Sequence, residues 1–233
     1  MFKITTGIKI KELQLLTNNL DNTEAFYNTF LNVPVNHKTG KEISFFIGST
    51  NVKFILSQVP DPVYHMAFDI PCNKLEEAFS WLSEKVSILP VTAESKIADI
   101  KLWNAKSIYF YDNNGNLLEL ISRFDLNNKS ETVFEASSIL SVSEIGMVTD
   151  DVPALTKAIT ETYDISVFEK QPAQENFTAI GDDQGLLVLV SQNRNWFPTN
   201  QKAQSFWSKI VLETAGGTLH EIFTDKLPAV DFK

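Results

Sequence analysis

The sequence has 233 residues, which corresponds to one large domain or two of ordinary size. Hydrophobic residues make up 43% and charged residues 21%, a composition typical of globular proteins and unlike that of disordered or fibrous chains. The net charge of −9 repels phosphate backbones and acidic membrane surfaces, so neither nucleic acid nor a membrane is an expected partner.

Cysteine usage and hydropathy indicate the compartment. Cys72 is the single cysteine, which excludes an internal disulfide and a zinc or iron–sulfur site built from a cluster of thiolates. No apolar run approaches the roughly 20 residues of a membrane span, and residues 1–7 lack the apolar stretch of a signal peptide. We therefore expect a cytoplasmic protein.

Three segments of the chain share one layout, an alternating strand that leads into a helix. In chain order, the strands and the helix starts are 11–17 with Glu24, 64–70 with Leu75, and 143–149 with Leu155. The spacing is constant, because Glu12 and Phe26, His65 and Phe79, and Glu144 and Ala158 each lie 14 positions apart. A constant spacing indicates copies of one structural unit.

Two short β-rich runs follow each helix, and Gly-, Asn- and Asp-rich turns join them as in hairpins. The runs are 43–47 and 52–56, 107–111 and 117–121, and 177–180 and 186–190. Each unit is therefore predicted to be a βαβββ module of about 55 residues. A single module leaves an open sheet edge, so it needs a second module to extend and curve its sheet.

The predicted fold class is α+β, with tandem βαβββ modules of which two form a cup-shaped curved sheet. Residues 1–126 are predicted to hold that pair, with module 1 at about 8–60 and module 2 at about 61–126. The polar segment 127–137 is interpreted as a linker, and 138–233 as a third module followed by a truncated fourth. The fourth is predicted to consist of an irregular connection and two strands, without a helix: 193–202, 206–212 and 218–223.

Three segments resemble the vicinal oxygen chelate superfamily, which contains glyoxalase I, fosfomycin- and bleomycin-resistance proteins and extradiol dioxygenases. They are the opening strand with Asn19-Leu20 and Ala25-Phe26-Tyr27, the strand Tyr64-His65-Met66-Ala67, and the segment 109–120. The last is similar to the closing hairpin F-x-D-P-x-G-N-x-x-E-L of that family, with Asn113 at the usual proline. The resemblance covers 8–123 and is echoed in 138–192. It implies that a divalent metal is held by the first and last strands of two paired modules.

Carried over by position, the resemblance implies metal ligands at Glu12, His65 and Glu119. Phe54 occupies the fourth position, where a carboxylate is usual, and it cannot bind a metal. By strand alternation the three ligands lie on the inner face of the cup, where a buried carboxylate needs a cation or hydrogen-bond donors. Nitrogen and oxygen ligands suit Zn, Mn, Fe, Ni or Co. The alternative is that His65 is a hydrogen-bonded structural residue and Glu12 a surface residue, with no metal.

The same alternation predicts the lining of a pocket. Its members are Gln14, Phe54, Ala67, Trp103, Leu117 and Ile121. Tyr109 and Tyr111 also face inward, and a phenol beside a metal can donate a proton to substrate, so these tyrosines and Glu119 are the candidate catalytic residues. Their simpler interpretation is that they favour a half-buried strand.

The third module allows an internal comparison. Glu144 matches Glu12, but Val188 stands where module 2 has Glu119. A second cup is therefore predicted to lack a metal. The aromatic residues Trp196, Phe197 and Trp207 are interpreted as packing residues.

The leading functional hypothesis is a metal-dependent enzyme of lyase or dioxygenase type that acts on a small oxygenated molecule. The alternative is a metal-free module that binds or sequesters a small molecule, as the resemblance to bleomycin-resistance proteins implies; a structural paralogue without activity is a third. Phe54 favours binding, and Glu119 favours a metal. A homodimer is compatible with the resemblance, which implies that cups form within or between chains.

Overall fold

The computed structural model describes residues 7–224. Within them, thirteen β-strands form two mixed sheets, and three α-helices accompany the sheets. The predicted α+β class is confirmed. The strands are β1 (Ile8–Thr17), β2 (Val35–Lys38), β3 (Glu42–Ile47), β4 (Thr50–Leu56), β5 (His65–Ile70), β6 (Ala98–Ile100), β7 (Ala105–Tyr111), β8 (Leu117–Arg123), β9 (Ser141–Thr149), β10 (Phe177–Asp182), β11 (Gly185–Ser191), β12 (Lys209–Thr214) and β13 (Leu219–Phe223). The helices are α1 (Leu20–Glu24), which continues as a π-helix over Ala25–Phe30, α2 (Leu75–Ser83) and α3 (Val152–Tyr163).

Helices α1 and α3 begin where the sequence supplies a capping side chain. The Asn19 side chain accepts a hydrogen bond from the Asn22 N–H (2.9 Å), and the Asp151 side chain accepts one from the Ala154 N–H (2.9 Å). Such caps satisfy N–H groups that have no partner within the first turn. Because Asn19 caps it, α1 begins before the predicted start at Glu24.

The first sheet has the strand order β13-β12-β1-β4-β3-β2. It joins module 1 to the short fourth module, because β1 pairs antiparallel with β12. The two strands predicted for the fourth module are present as β12 and β13, although β12 begins at Lys209. Between β11 and residue 224, the described chain forms no helix.

The second sheet has the order β10-β11-β9-β5-β8-β7-β6 and joins modules 2 and 3. Their first strands pair antiparallel, with Met66 opposite Ile145 and Ala67 opposite Glu144. The expected union of modules 1 and 2 in one sheet is not observed. Instead, β12 pairs with the edge of β1 and β9 pairs with the edge of β5. Neither first strand therefore leaves its backbone groups unpaired at an open edge.

Module 3 is less complete than modules 1 and 2. The hairpins predicted in all three modules are present as β3–β4, β7–β8 and β10–β11. Modules 1 and 2 add the short strands β2 and β6, whereas an isolated bridge between Val167 and Ile180 takes that place in module 3. The expected tandem of βαβββ modules is therefore present with a shortened third copy.

Two apolar clusters form the core. One combines helical residues with one face of both sheets, and includes Leu13, Phe54 and Leu120. The other lies on the opposite face of the second sheet and includes Ala67 and Ile121. The candidate site lies on that second face.

The predicted linker 127–137 is held against module 2. Phe134 is buried against Trp81, with ring centroids 5.5 Å apart, and its N–H donates to a Glu77 carboxylate oxygen (3.0 Å). Within residues 7–224, no helix has the length and apolar character needed to cross a membrane.

Candidate metal centre

Three buried side chains converge at the middle of the second sheet. They are His65 on β5, Glu119 on β8 and Glu144 on β9, and each offers a ligand atom within 4.8 Å of those of the other two. Strand register explains the convergence, because Ala67 pairs with Glu119 on one side and with Glu144 on the other. His65 precedes Ala67 by two residues and so shares its face. The methyl group of Ala67 leaves space between the two carboxylates.

The hydrogen bond of His65 defines which ring nitrogen is free. Nδ1 lies 3.1 Å from the Leu117 carbonyl oxygen, which only accepts, so the proton is assigned to Nδ1. Burial lowers the pKa of His65 to about 4, so the ring is neutral at pH 7. Nε2 therefore presents its lone pair, 3.7 Å from Oε2 of Glu119.

An indole covers this imidazole. The rings of His65 and Trp196 have centroids 5.0 Å apart. A Cβ atom at Gly146 would lie 2.6 Å from Cη2 of Trp196 and 3.3 Å from Cβ of His65. Glycine at position 146 is thus what allows the indole to approach the strand, and the indole shields the histidine from solvent.

Glu119 is the least satisfied of the three ligand candidates. Its side chain is buried, and Oε1 has no hydrogen-bond partner among the described residues. Burial raises the pKa of Glu119 to about 8, with a further contribution from the negative charge of Glu144. Ser107, Arg123 and Tyr109 act in the opposite direction but do not outweigh burial. A cation at this point would stabilise the ionised carboxylate.

Glu144 has a cationic partner already. Its Oε1 accepts a short hydrogen bond from Nη2 of Arg123, whose side chain is 0% exposed. The guanidinium carbon of Arg123 also lies 5.4 Å from the centroid of the Trp103 ring, and Nη1 lies 3.8 Å from Asp183. Burial raises the pKa of Glu144, while the Arg123 charge and hydrogen bond lower it. The ion pair is made through Oε1 of Glu144.

A cavity of about 780 Å³ opens over the three side chains. Its walls combine aliphatic, polar and aromatic side chains, and the aromatic ones are Trp103, Tyr109, Phe177, Trp196 and Phe197. Ligand sites in proteins are typically apolar clefts of this size with a few polar groups at defined positions. The cavity can therefore hold a small molecule in contact with the buried ligand atoms.

Glu12 does not join the cluster, contrary to the implication of the resemblance. It lies in the first sheet, where its carboxylate accepts hydrogen bonds from Gln14 (2.7 Å) and Asn51 (2.9 Å). The reason is the pairing of modules, because module 1 shares its sheet with β12. The carboxylate that does reach His65 is Glu144, at the equivalent position of module 3.

Two predicted lining residues lie away from the cavity. Phe54 is completely buried in the core of module 1, with its ring centroid 5.1 Å from that of Tyr27. Gln14 is bonded to Glu12 in the same sheet.

Other predicted residues lie where the alternation of strands places them. Trp103 and Tyr109 line the cavity, and Tyr109 is directly opposite Glu119 on the neighbouring strand. Tyr111 does not line the cavity but packs, partly buried, against the second apolar cluster. That same cluster contains Ala67, Leu117 and Ile121, which do not line the cavity either, contrary to the prediction.

Four residues of the site were not singled out from the sequence as functional: Arg123, Glu144, Arg194 and Trp196. The repeat does point to Glu144, because Glu144 occupies the position in module 3 that Glu12 occupies in module 1. Trp196 does pack, as predicted, and it also forms part of the cavity wall. Arg123 carried no comparable signal, because a buried arginine on a strand cannot be told from an exposed one by alternation alone.

Comparison with models of known protein families and with curated proteins finds no match. Solved structures do match over most of the chain. A Bacillus subtilis protein that is provisionally named a dioxygenase superposes with a TM-score of 0.57 and 11% identity, over 96% of this chain and 87% of its own. Glyoxalase I of Zea mays superposes with a TM-score of 0.56 and 14% identity, over 89% of this chain and 74% of its own. At these identities the likeness shows the fold, and the chemistry has to be argued from the residues of the site.

Proposed function

We propose that this chain, which has the vicinal oxygen chelate fold, holds a divalent metal ion with His65, Glu119 and Glu144 and acts on a small oxygenated molecule in the adjoining cavity. The observation that carries the proposal is the buried Oε1 of Glu119, which has no partner within residues 7–224. It lies beside a neutral imidazole whose Nε2 lone pair faces the same carboxylate. A buried carboxylate oxygen that has no hydrogen-bond donor is stabilised by a cation.

The donor set fits a catalytic metal site. Three protein ligands leave further coordination positions for water or substrate, and Val188, at the position equivalent to Glu119, supplies no fourth. One nitrogen and two carboxylates suit Zn, Mn, Fe, Ni or Co. The set departs from the two histidines and one carboxylate of many non-haem iron oxygenases, so we favour lyase-type chemistry over oxygen insertion.

A bound divalent ion would act as a Lewis acid toward two neighbouring oxygens of the substrate. The protein residues around it have separate tasks. The Leu117 carbonyl orients His65, as second-shell acceptors orient metal-binding histidines generally. Arg123 holds one oxygen of Glu144 and so fixes the position of the other. Trp196 covers the histidine and excludes water.

Tyr109 is the candidate proton donor. Burial and the neighbouring Glu119 raise its pKa well above the ordinary value, so the phenol remains protonated at neutral pH. It lines the cavity and lies across from Glu119, where it can donate a hydrogen bond or a proton to an oxygen of the substrate.

Metal content of untagged protein, purified without a chelating column, tests the proposal. We expect close to one divalent ion per chain by elemental analysis, and its loss in Glu119→Gln, which keeps shape but removes the charge. Glu12→Gln is the matched control, because that residue lies in the first sheet. Metal-free wild type, or equal metal content in Glu119→Gln and wild type, would contradict the proposal.

A metal-free binding function is the second candidate, and one contact favours it. The Arg123 guanidinium already compensates Glu144, and a protonated Glu119 could be tolerated without an ion at pH 7. In that case the cavity binds its ligand equally well in the presence of a chelator. Ligand binding measured with and without EDTA separates the two functions.

A further inference from the structure

Arg194 contributes to the cavity wall a cation that forms no ion pair with an acidic residue of the described chain. The sequence contains two arginines, and the other, Arg123, is paired with Glu144 below the cavity. Arg194 lines the cavity, and its guanidinium carbon lies 4.9 Å from the centroid of the Phe177 ring. Within residues 7–224 its side chain has no acidic partner within 4.0 Å.

The backbone holds Arg194 in place. Its N–H donates to the Ser191 carbonyl (3.2 Å), and its carbonyl accepts from the Ala203 N–H (2.8 Å). The side chain is half-buried and burial lowers its pKa, which means that water compensates the charge incompletely. A guanidinium held on a fixed backbone and stacked on a ring is ordered before any ligand arrives, which reduces the entropic cost of binding.

The other charges along the cavity do not neutralise Arg194. Glu144 is occupied by Arg123, and Glu119 faces His65. Asp99, also in the wall, is exposed and forms no ion pair with Arg194. An anionic group on the ligand would therefore meet an available cation on this side of the cavity.

We infer that the cavity takes an organic acid whose carboxylate is bound by Arg194 and whose apolar body lies among the aromatic side chains of the wall. The planar fork of a guanidinium matches a carboxylate through two parallel hydrogen bonds. The aromatic wall, formed by Trp103, Phe177 and Phe197 among others, suits an aryl or alkyl body. Binding of the carboxylate by Arg194 does not depend on the proposed function. Only the placement of the other end of the ligand, which would face the metal, rests on it.

Calorimetric titration with 3-phenylpropionate and with its uncharged amide tests this inference on untagged, full-length protein. We expect the acid to bind at least tenfold more tightly than the amide, and we expect Arg194→Gln to abolish that preference. Arg194→Lys should lose most of it, because an ammonium lacks the fork. Lys157→Gln removes an exposed cation on α3 and should leave the preference unchanged.

Equal affinity for acid and amide, failure of both to bind, or an unchanged preference in Arg194→Gln would overturn the inference. Metal content separates it from the proposed function. Arg194→Gln should retain the metal of the wild type, and Glu119→Gln should lose the metal while it keeps the preference for the acid. Absence of metal together with an Arg194-dependent preference would refute the metal centre alone.

Discussion

The ion pair between Arg123 and Glu144 is buried, so loss of one partner should destabilise the metal-free protein. Both side chains are buried, at 0% and 2% exposure, so Arg123→Met leaves a carboxylate without its cation in the interior. Removal of one partner from a buried pair typically costs about 3–5 kcal/mol. Domains are commonly stable by about 5–15 kcal/mol, so we expect the urea midpoint of unfolding to fall sharply in the presence of a chelator.

The double variant Arg123→Met/Glu144→Gln distinguishes an ion-pair effect from lost packing. It removes both charges, so we expect it to recover most of the stability that Arg123→Met loses. Addition of a divalent ion should also stabilise Arg123→Met, by about 2.7 kcal/mol when the ion is at a hundred times its dissociation constant. A loss below about 1 kcal/mol in Arg123→Met, or no recovery in the double variant, would refute the reasoning.

Three further variants test two residues of the site and one residue of the core of module 1. Folding raises the pKa of Glu119 from 4.5 to about 8, so the folded protein retains a proton that the unfolded chain releases, and metal-free stability should fall as pH rises across that window. Burial also raises the pKa of Asp69, to about 7, so Glu119→Gln should reduce this slope, most clearly between pH 7 and 8, in urea titrations at several pH values. Gly146→Ala places a methyl group 2.6 Å from the Trp196 ring, and we expect a loss of about 1–3 kcal/mol with a shifted tryptophan emission, whereas an unchanged spectrum would contradict the contact. Phe54→Ala should cost about 3–5 kcal/mol through a cavity beside Tyr27 and leave metal content unchanged; a loss of metal without a loss of stability would place Phe54 at the site instead.

The local structure of this protein could be predicted from its sequence because it depends on neighbouring residues. Alternation placed His65 and Glu119 on the same side of their strands, and the turns between apolar runs located the hairpins. The start of α1 differs from the predicted Glu24, because the side chain of Asn19 caps the helix and lets it begin at Leu20. The short strands β2 and β6 are small edge strands with little apolar alternation to reveal them.

The site itself could be predicted only in part. His65 and Glu119 belong to one module, and their proximity follows from the parallel pairing of β5 and β8. The third member depends on a contact between modules that are distant in sequence. Glu12 and Glu144 occupy the same position in their own repeats, and only one of them lies in the sheet that contains His65.

The amino-acid sequence by itself determined the repeating module, the inward direction of its polar side chains and the kind of ligand atoms they offer. Tertiary structure alone decided that β5 pairs with β9 and β1 with β12. The physical reason is that the first strand of each module presents a similar row of unpaired backbone groups. Which two edges meet depends on how all the modules pack together, and that packing places Glu144 and Arg194 in the wall of one cavity, with Arg123 paired to Glu144.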